Sequence, residues 1–265
     1  MKVAIDLGGT HLRVATGVSP GAYRTLLREV RPAGFTPDQL IERLTSLLRD
    51  QGASPAAIGV SIAAVVDGEG CLSGSENLGW GGLPLGSLLG KAFGCPVVIE
   101  TDVFCGALFE AREGEARGVG SALYLGVGTG VGHALIFGGS VWRGAFGGAN
   151  AFGHLVLDPA GAICYCGHRG CLCQTASGLA QSGRPATEAP LLALAHGIGS
   201  VVTLVEPERV ILAGGALRQA WFDMDRLIAL VPRFAYPAAR LPQIVHTKAD
   251  EPNLRGALHL AMEVS

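Results

Sequence analysis

Lys2-Val-Ala-Ile-Asp6-Leu-Gly-Gly-Thr10-His-Leu-Arg-Val-Ala-Thr-Gly-Val18 is the stretch whose reading decides the fold. Lys2 to Leu7 is a short apolar run with β-branched residues, broken at Gly8-Gly9-Thr10, and a second run continues through Val18. That pattern predicts a strand, a glycine turn and a strand. It returns later, as Ser121 to Val127, the turn Gly128-Thr129-Gly130, and Val131 to Phe137. The two halves share no long similarity, yet each opens in this way, a weak internal duplication.

Working outward, Ala22 to Val30 reads as a third strand. Thr36-Pro37-Asp38-Gln39 combines an N-cap, a proline at the first helical position and a glutamine at the third, and so starts a helix over Pro37 to Asp50. Ile58 to Val66 is expected as a buried strand, Asp67 to Gly82 as a loop, Leu83 to Phe93 as a helix, Pro96 to Glu100 as a strand and Asp102 to Glu113 as a helix. In the second half Leu191, Leu194, Ile198, Val201 and Val205 recur at helical spacing until Pro207. Arg209 to Ala213 is a strand opening onto Gly214-Gly215, Leu217 to Val231 reads as helix, and Leu254, Ala257, Leu258, Ala261 and Met262 outline a closing amphipathic helix. Strands alternating with helices predict an α/β fold with mostly parallel pairing. The charged, glycine-punctuated segment from Glu110 to Gly118 is the expected boundary, giving domains 1–115 and 116–252.

The chain has 265 residues and 40 glycines, about twice the usual ~7%. With no Gly-X-Y period, such a content implies tight turns and backbone approaching a ligand. Net charge is −2 with 16% charged residues, which offers no basic field for nucleic acid or anionic lipid. Apolar content is 49% and mean hydropathy +0.38. Even so, the sequence holds no run of about 20 apolar residues, so no membrane span is expected. Asp6 interrupts what would be the apolar region of a signal peptide, and the expected compartment is the cytosol.

Glycines in the turns at Gly8, Gly9 and Thr10, at Gly128, Thr129 and Gly130, and at Gly214-Gly215 let backbone N–H groups approach phosphate oxygens, and Asp6 is suited to a hydrated Mg²⁺. The alternative is a set of plain hairpin turns. Three in one chain favour a nucleotide site. Asp102 lies where a strand gives way to a helix, the end of an α/β strand where ligands usually bind. A carboxylate there can take a proton from an attacking hydroxyl, or simply cap the helix.

Four of the seven cysteines, Cys164, Cys166, Cys171 and Cys173, fall within ten residues. His154 with Cys164, Cys166 and Cys171 is the complement of a closed tetrahedral zinc site. Cys173 is a spare thiol beside it, and His168 reads as a solvent-facing loop residue.

These motifs resemble the ROK family of bacterial sugar kinases and related repressors. Asp6-Leu-Gly-Gly-Thr10 and Gly128-Thr129-Gly130 resemble its two phosphate motifs, and Asn77-Leu-Gly-Trp80 with Pro84-Leu85 its sugar loop. Gly153-His154 followed by Cys164-Tyr-Cys166-Gly-His-Arg-Gly-Cys171 is similar to its zinc signature, and Glu206-Pro-Glu-Arg209 leading to Gly214-Gly215 to its adenosine motif. The resemblance implies a two-lobed, actin-like (ribonuclease H-like) ATPase fold with a structural zinc loop. It also implies that the final helix, 253–265, packs back on the first lobe. It implies ATP, Mg²⁺ and Zn²⁺ as cofactors, a sugar or sugar-like substrate and a homodimer. Asp102 would be the general base; Gly8, Gly9, Thr10, Gly128, Thr129 and Gly130, with Gly214 and Gly215, would hold the nucleotide. Asn77, Thr101, Asp102 and His154 would meet the substrate. The chain departs from the family in its segment from Ser177 to Leu191, which is much shorter than the family's helical insertion, and at three motif positions. Its Asn-Asp-Ala-Asn group is here Thr101-Asp102-Val103-Phe104, and two sugar-holding carboxylates are replaced by Ala151 and Cys173. Two hydrogen bonds to charged groups are together worth roughly 3 to 6 kcal/mol, so an altered substrate pocket is expected. The rival expectation is a catalytically weak or inactive ROK-fold protein that senses a metabolite.

Overall fold

The computed structural model describes residues 1–52, 54–67, 69–74 and 78–264. The chain forms two compact units, one comprising Met1–Phe109, Arg143–Gly148 and Ala249–Ser265, the other Glu110–Trp142 and Ala149–Lys248.

In the first unit the strands are β1 (Lys2–Leu7), β2 (His11–Ser19), β3 (Ala22–Val30), β4 (Ala57–Ile62), β5 (Val65–Val66), β6 (Leu72–Gly74) and β7 (Val97–Thr101). The helices are α1 (Pro37–Asp50), α2 (Leu85–Phe93) and the start of α3 (Asp102–Arg112). The main sheet has the order β3-β2-β1-β4-β7; β1, β2 and β3 pair antiparallel, while β1, β4 and β7 run parallel. Parallel strands are normally covered on both faces, and β1 shows how the sequence arranges it. Val3, Ile5 and Leu7 share a core with Leu40, Leu44 and Leu48 of α1 and Leu85 and Leu89 of α2. The alternate Ala4 meets Leu254, Ala257 and Leu258 of the closing helix Pro252–Glu263. α1 begins at the expected capping box, with both the Thr36 side-chain and the Gln39 side-chain bonds formed.

The closing helix sits directly on backbone. A Cβ at Gly59 would lie 1.8 Å from the Ala257 carbonyl oxygen, and one at Gly256 would lie 1.9 Å from that of Cys105. Gly59→Ala is therefore expected to destabilise the chain by about 3 kcal/mol, because neither backbone can give way. Urea unfolding checks this, and a change under about 1 kcal/mol would contradict the packing.

The second unit holds β8 (Ser121–Val127), β9 (Val131–Phe137), β10 (Ser140–Trp142), β11 (Arg209–Ala213) and β12 (Gln243–His246). Its helices are α4 (Cys173–Ala176), α5 (Gly178–Gln181), α6 (Ala189–Val205) and α7 (Met224–Leu230); the closing helix of the first unit is α8. The sheet order, β10-β9-β8-β11-β12, has the same pattern as the first. Leu123, Leu125 and Val127 pack with Leu191, Leu194, Ile198 and Val202 of α6.

Several expected elements are revised. The strand expected over Ile58 to Val66 breaks after Ile62, and the expected loop Asp67 to Gly82 contains β6, which pairs with β5. The helix expected over Leu217 to Val231 is a 3₁₀ turn at Gly215–Arg218 and then α7, because Asp223 caps a new start by accepting from the Arg226 N–H. The expected boundary at 115 falls at Phe109/Glu110. Glu110, fully buried, accepts the Glu115 N–H and the Thr247 hydroxyl, both within the second unit. Residues 143–148 join the first unit, where Arg143 pairs with Glu100 at 2.5 Å. So does the chain from Ala249, where Glu251 reaches Arg13 at 3.3 Å.

Candidate functional site

In the first unit, chemistry gathers at the carboxyl edge of the parallel strands. Register pairs Asp6 with Ser61 and Ser61 with Glu100; Leu7, Ile62 and Thr101 form the next row, where the strands end. At that edge the Gly8-Gly9-Thr10 turn leaves β1 and Asp102 begins α3. Asp6 is only 3% exposed. One of its oxygens accepts from Arg13 Nη1 at 2.7 Å and the other from Ser61 Oγ at 2.9 Å. Asp102 is partly exposed and its Oδ1 accepts the Val103 N–H at 2.7 Å. Loss of solvation, and then the charge of Asp6, push the Asp102 carboxyl up to about 7, whereas the backbone N–H groups pull the other way. A carboxylate titrating there suits proton exchange near neutral pH.

The turn itself is held by His11 and Arg31. Gly8 N–H donates to the His11 carbonyl at 2.9 Å, and the Thr10 carbonyl accepts the Arg31 N–H at 2.8 Å. Arg31 Nη2 also donates to the Gly9 carbonyl at 2.9 Å, which fixes a positive charge beside the turn.

The second unit repeats the geometry. β8 and β11 are parallel, with Gly126 opposite Ala213, so the Gly128-Thr129-Gly130 turn and Gly214-Gly215 leave the same edge. Gly214 has φ +112°, and a Cβ there would lie 2.2 Å from the Val127 carbonyl oxygen, so only glycine fits. The Gly178 N–H, at the start of α5, donates to the Gly128 carbonyl at 2.7 Å.

The second unit also carries the thiol cluster. The ligand atoms of His154, Cys164, Cys166 and Cys171 all fall within 4.8 Å of one another. The Cys164 sulfur is 3.6 Å from His154 Nδ1, and the Cys166 and Cys171 sulfurs are 3.6 Å apart. Tetrahedral zinc with Zn–S of about 2.3 Å and Zn–N of about 2.0 Å has edges of about 3.8 Å between sulfurs and about 3.6 Å from sulfur to nitrogen, so the four residues fit the ion. Burial opposes ionisation of Cys164, Cys171 and Cys173. Hydrogen bonds outweigh it at Cys164, which falls to about 6. At Cys171 and Cys173 burial and the neighbouring sulfurs act together and push both up to about 12. An ionised Cys164 thus opposes ionisation of Cys171 and Cys173, a conflict that a dication relieves. The loop's path is set by glycine: Gly170, at φ +64°, would place a Cβ 1.6 Å from the Asp158 carbonyl oxygen.

The expected site residues fall into these groups with two exceptions. Asn77 lies outside the described residues. Thr101, expected to face substrate, is 2% exposed and its hydroxyl donates to the Ala64 carbonyl at 2.9 Å, so it braces the strand end and presents no donor. The sequence reading missed Arg13, Ser61, Arg31 and Gly178. A charge at Arg13 within an apolar strand was the one available signal. It also missed Tyr165, whose ring meets His154 edge-on at 5.0 Å and whose hydroxyl is 3.9 Å from where a Gly130 Cβ would stand.

Among the described residues no helix is long and apolar enough to cross a membrane. The ROK family profile matches residues 2–186. A glucokinase of Streptomyces coelicolor is 31% identical over 183 residues, 68% of this chain but 57% of that enzyme, so the match spans little more than half its length. A kanosamine kinase of Amycolatopsis mediterranei is 31% identical over 244 residues, 80% of either chain. Among solved structures, the ROK hexokinase from Thermus thermophilus matches with a TM-score of 0.75 at 27% identity, over 98% of each chain. The ROK family glucokinase from Streptomyces griseus, in complex with glucose and AMPPNP, matches over 99% of each chain with a TM-score of 0.86 at 22% identity, a likeness of fold. The α/β fold with two mixed sheets is that of the ROK sugar kinase structures.

Proposed function

The chain belongs to the ROK family, and from that membership we propose that it transfers the γ-phosphoryl group of ATP to a sugar hydroxyl, through a substrate pocket altered from that of its relatives. The observation that carries the reading is Asp102, a carboxylate at the carboxyl edge of β7 that burial and Asp6 hold near neutrality. The attacking hydroxyl gives its proton to Asp102 as its oxygen bonds to phosphorus and the bond to ADP breaks. Catalysis of this kind rests on positioning and charge neutralisation more than on covalent chemistry. Gly8, Gly9 and Thr10, with Arg31 beside them, and Gly128, Thr129, Gly130, Gly214 and Gly215 are assigned to the nucleotide. Arg13 neutralises Asp6 and opposes a bare metal–carboxylate bond. The spare lone pairs of Asp6 suit water on a hydrated Mg²⁺ that enters as Mg-ATP. Zinc, held by His154, Cys164, Cys166 and Cys171, is assigned a structural role, because protein fills all four positions. The repeated strand order supports the actin-like, ribonuclease H-like reading.

ATP turnover across a panel of hexoses and amino sugars tests the proposal. ADP release dependent on one of them is expected; none from any sugar would give precedence to the metabolite sensor. One observation favours that second reading. Neither Ala151 nor Cys173 offers a carboxylate, and the Cys173 sulfur points into the thiol cluster.

A separate expectation concerns binding alone. Mg-AMPPNP at about 100 times its dissociation constant stabilises a fold by about 2.7 kcal/mol, and for a chain of this size should raise Tm by about 5 °C or more. Thermal unfolding measures it, and no shift at millimolar nucleotide would mark the glycine turns as plain hairpins.

A further inference from the structure

We propose that Cys173 is an alternative zinc ligand, able to take the corner of the tetrahedron held by His154. The metal would then pass from three thiolates and an imidazole to four thiolates. The proposal rests on the zinc loop inferred above and concerns a residue outside that ligand set.

Cys173 and His154 both stand beside the Cys164 sulfur. The Cys173 sulfur is 3.6 Å from that of Cys164, the same spacing that separates Cys164 from His154 Nδ1. It lies 4.0 Å from His154 Nδ1. A separation of 3.6 Å is close to the ~3.8 Å edge between two thiolates on one zinc. Cys173 is 2% exposed and opens α4, two residues beyond the ligand Cys171, so rotation about its single Cα–Cβ bond moves the sulfur without moving the chain. In the exchange the zinc–nitrogen bond to His154 breaks and a zinc–sulfur bond to Cys173 forms. The Cys173 thiol proton passes to solvent, no electron is transferred, and the shell gains one negative charge. His154 regains a lone pair on Nδ1, an acceptor suited to a substrate hydroxyl. The coordination shell would in this way be coupled to what His154 binds. Another nitrogen is near, since His168 Nδ1 lies 3.7 Å from the Cys166 sulfur, but His168 is exposed.

The test uses the full chain as wild type, His154→Ala, Cys173→Ser and the double variant. Metal content, competition with a chromogenic chelator and the thiolate-to-cobalt absorption of the Co²⁺-substituted forms are measured. Wild type and both single variants should hold one zinc per chain. In His154→Ala, affinity should stay within about tenfold of wild type and the cobalt band should grow by about one third, as a fourth thiolate joins three. Loss of an outer-shell partner already costs about 10- to 100-fold in affinity, so the double variant, with neither ligand, should lose more than about 100-fold. The proposal is overturned if His154→Ala weakens zinc as much as the double variant does, or keeps zinc with the cobalt band of three thiolates. Should the double variant not fold, the band of His154→Ala decides. A wild-type protein that holds no zinc overturns the zinc loop itself, and this proposal with it.

Discussion

Asp102→Asn is expected to lower kcat/KM for the accepted sugar by at least about 100-fold while making the folded chain more stable. An amide matches the carboxylate in shape and still accepts the Val103 N–H, but it takes no proton from the attacking hydroxyl. The stability gain follows from linkage. The Asp102 carboxyl titrates at about 7 in the folded chain against an ordinary 3.8. Between those values the folded state holds a proton that the unfolded state has released, so stability falls as pH rises through the window and the full penalty applies above about 7. At about 1.4 kcal/mol per unit, that penalty is about 4 to 5 kcal/mol, and asparagine removes it. Urea unfolding at pH 8 should show the variant ahead of wild type, and at pH 5 the difference should shrink. Wild-type kcat/KM should rise with pH and level off above about 7, as Asp102 becomes ionised. Turnover of the variant within tenfold of wild type, or no stability gain at pH 8, would rule out this role for Asp102.

Removal of the proposed zinc is the second change with a large expected effect. Apparent binding energies of structural zinc are about 10 to 16 kcal/mol in small zinc domains, as large as the whole stability of an ordinary domain. Here the proposed ligands are part of the second unit's interior. Cys164, Cys171 and Cys173 share a core with Phe152, Leu172 and Ile198. A Cβ on Gly197 of α6 would lie 2.5 Å from Phe152 and 2.8 Å from Leu172, so the helix and the zinc-loop segment pack without slack. Chelation should lower Tm by more than about 10 °C and expose the amides of residues 154–173 to hydrogen exchange, with zinc restoring both. Cys166→Ala should reproduce the loss, because Cys166 is the least buried of the three thiols and its removal leaves little cavity. Unchanged exchange in this segment after complete chelation would show that the loop holds itself.

Much of the fold is legible in the sequence because its signals are local. A strand, a glycine turn and a strand, written twice, place β1, β2, β8 and β9 close to their observed ends, and the capping box places the start of α1. These depend on interactions within a few residues, which the sequence states directly. The thiol spacing likewise singles out three members of the cluster that His154 joins, since Cys164, Cys166 and Cys171 lie on one short loop. Where two local signals compete, the reading fails. The apolar run Leu217 to Val231 has the pattern of a single helix, and the Asp223 cap divides it.

Tertiary structure alone decided the partners of the site residues. Asp6 meets Ser61 across 55 positions of sequence, a pairing made by the parallel register of β1 and β4, and register is set by side-chain packing on both sheet faces. The same packing buried the Thr101 hydroxyl and gave Asp6 to Arg13, and it set Asp102 where Asp6 raises its pKa. It also turned Cys173, by sequence a spare thiol, into the thiol cluster. Composition and periodicity specify which elements form and which residue types are present; which side chains face one another is fixed only when the sheets close on their helices, because that contact energy is summed over residues far apart in the chain.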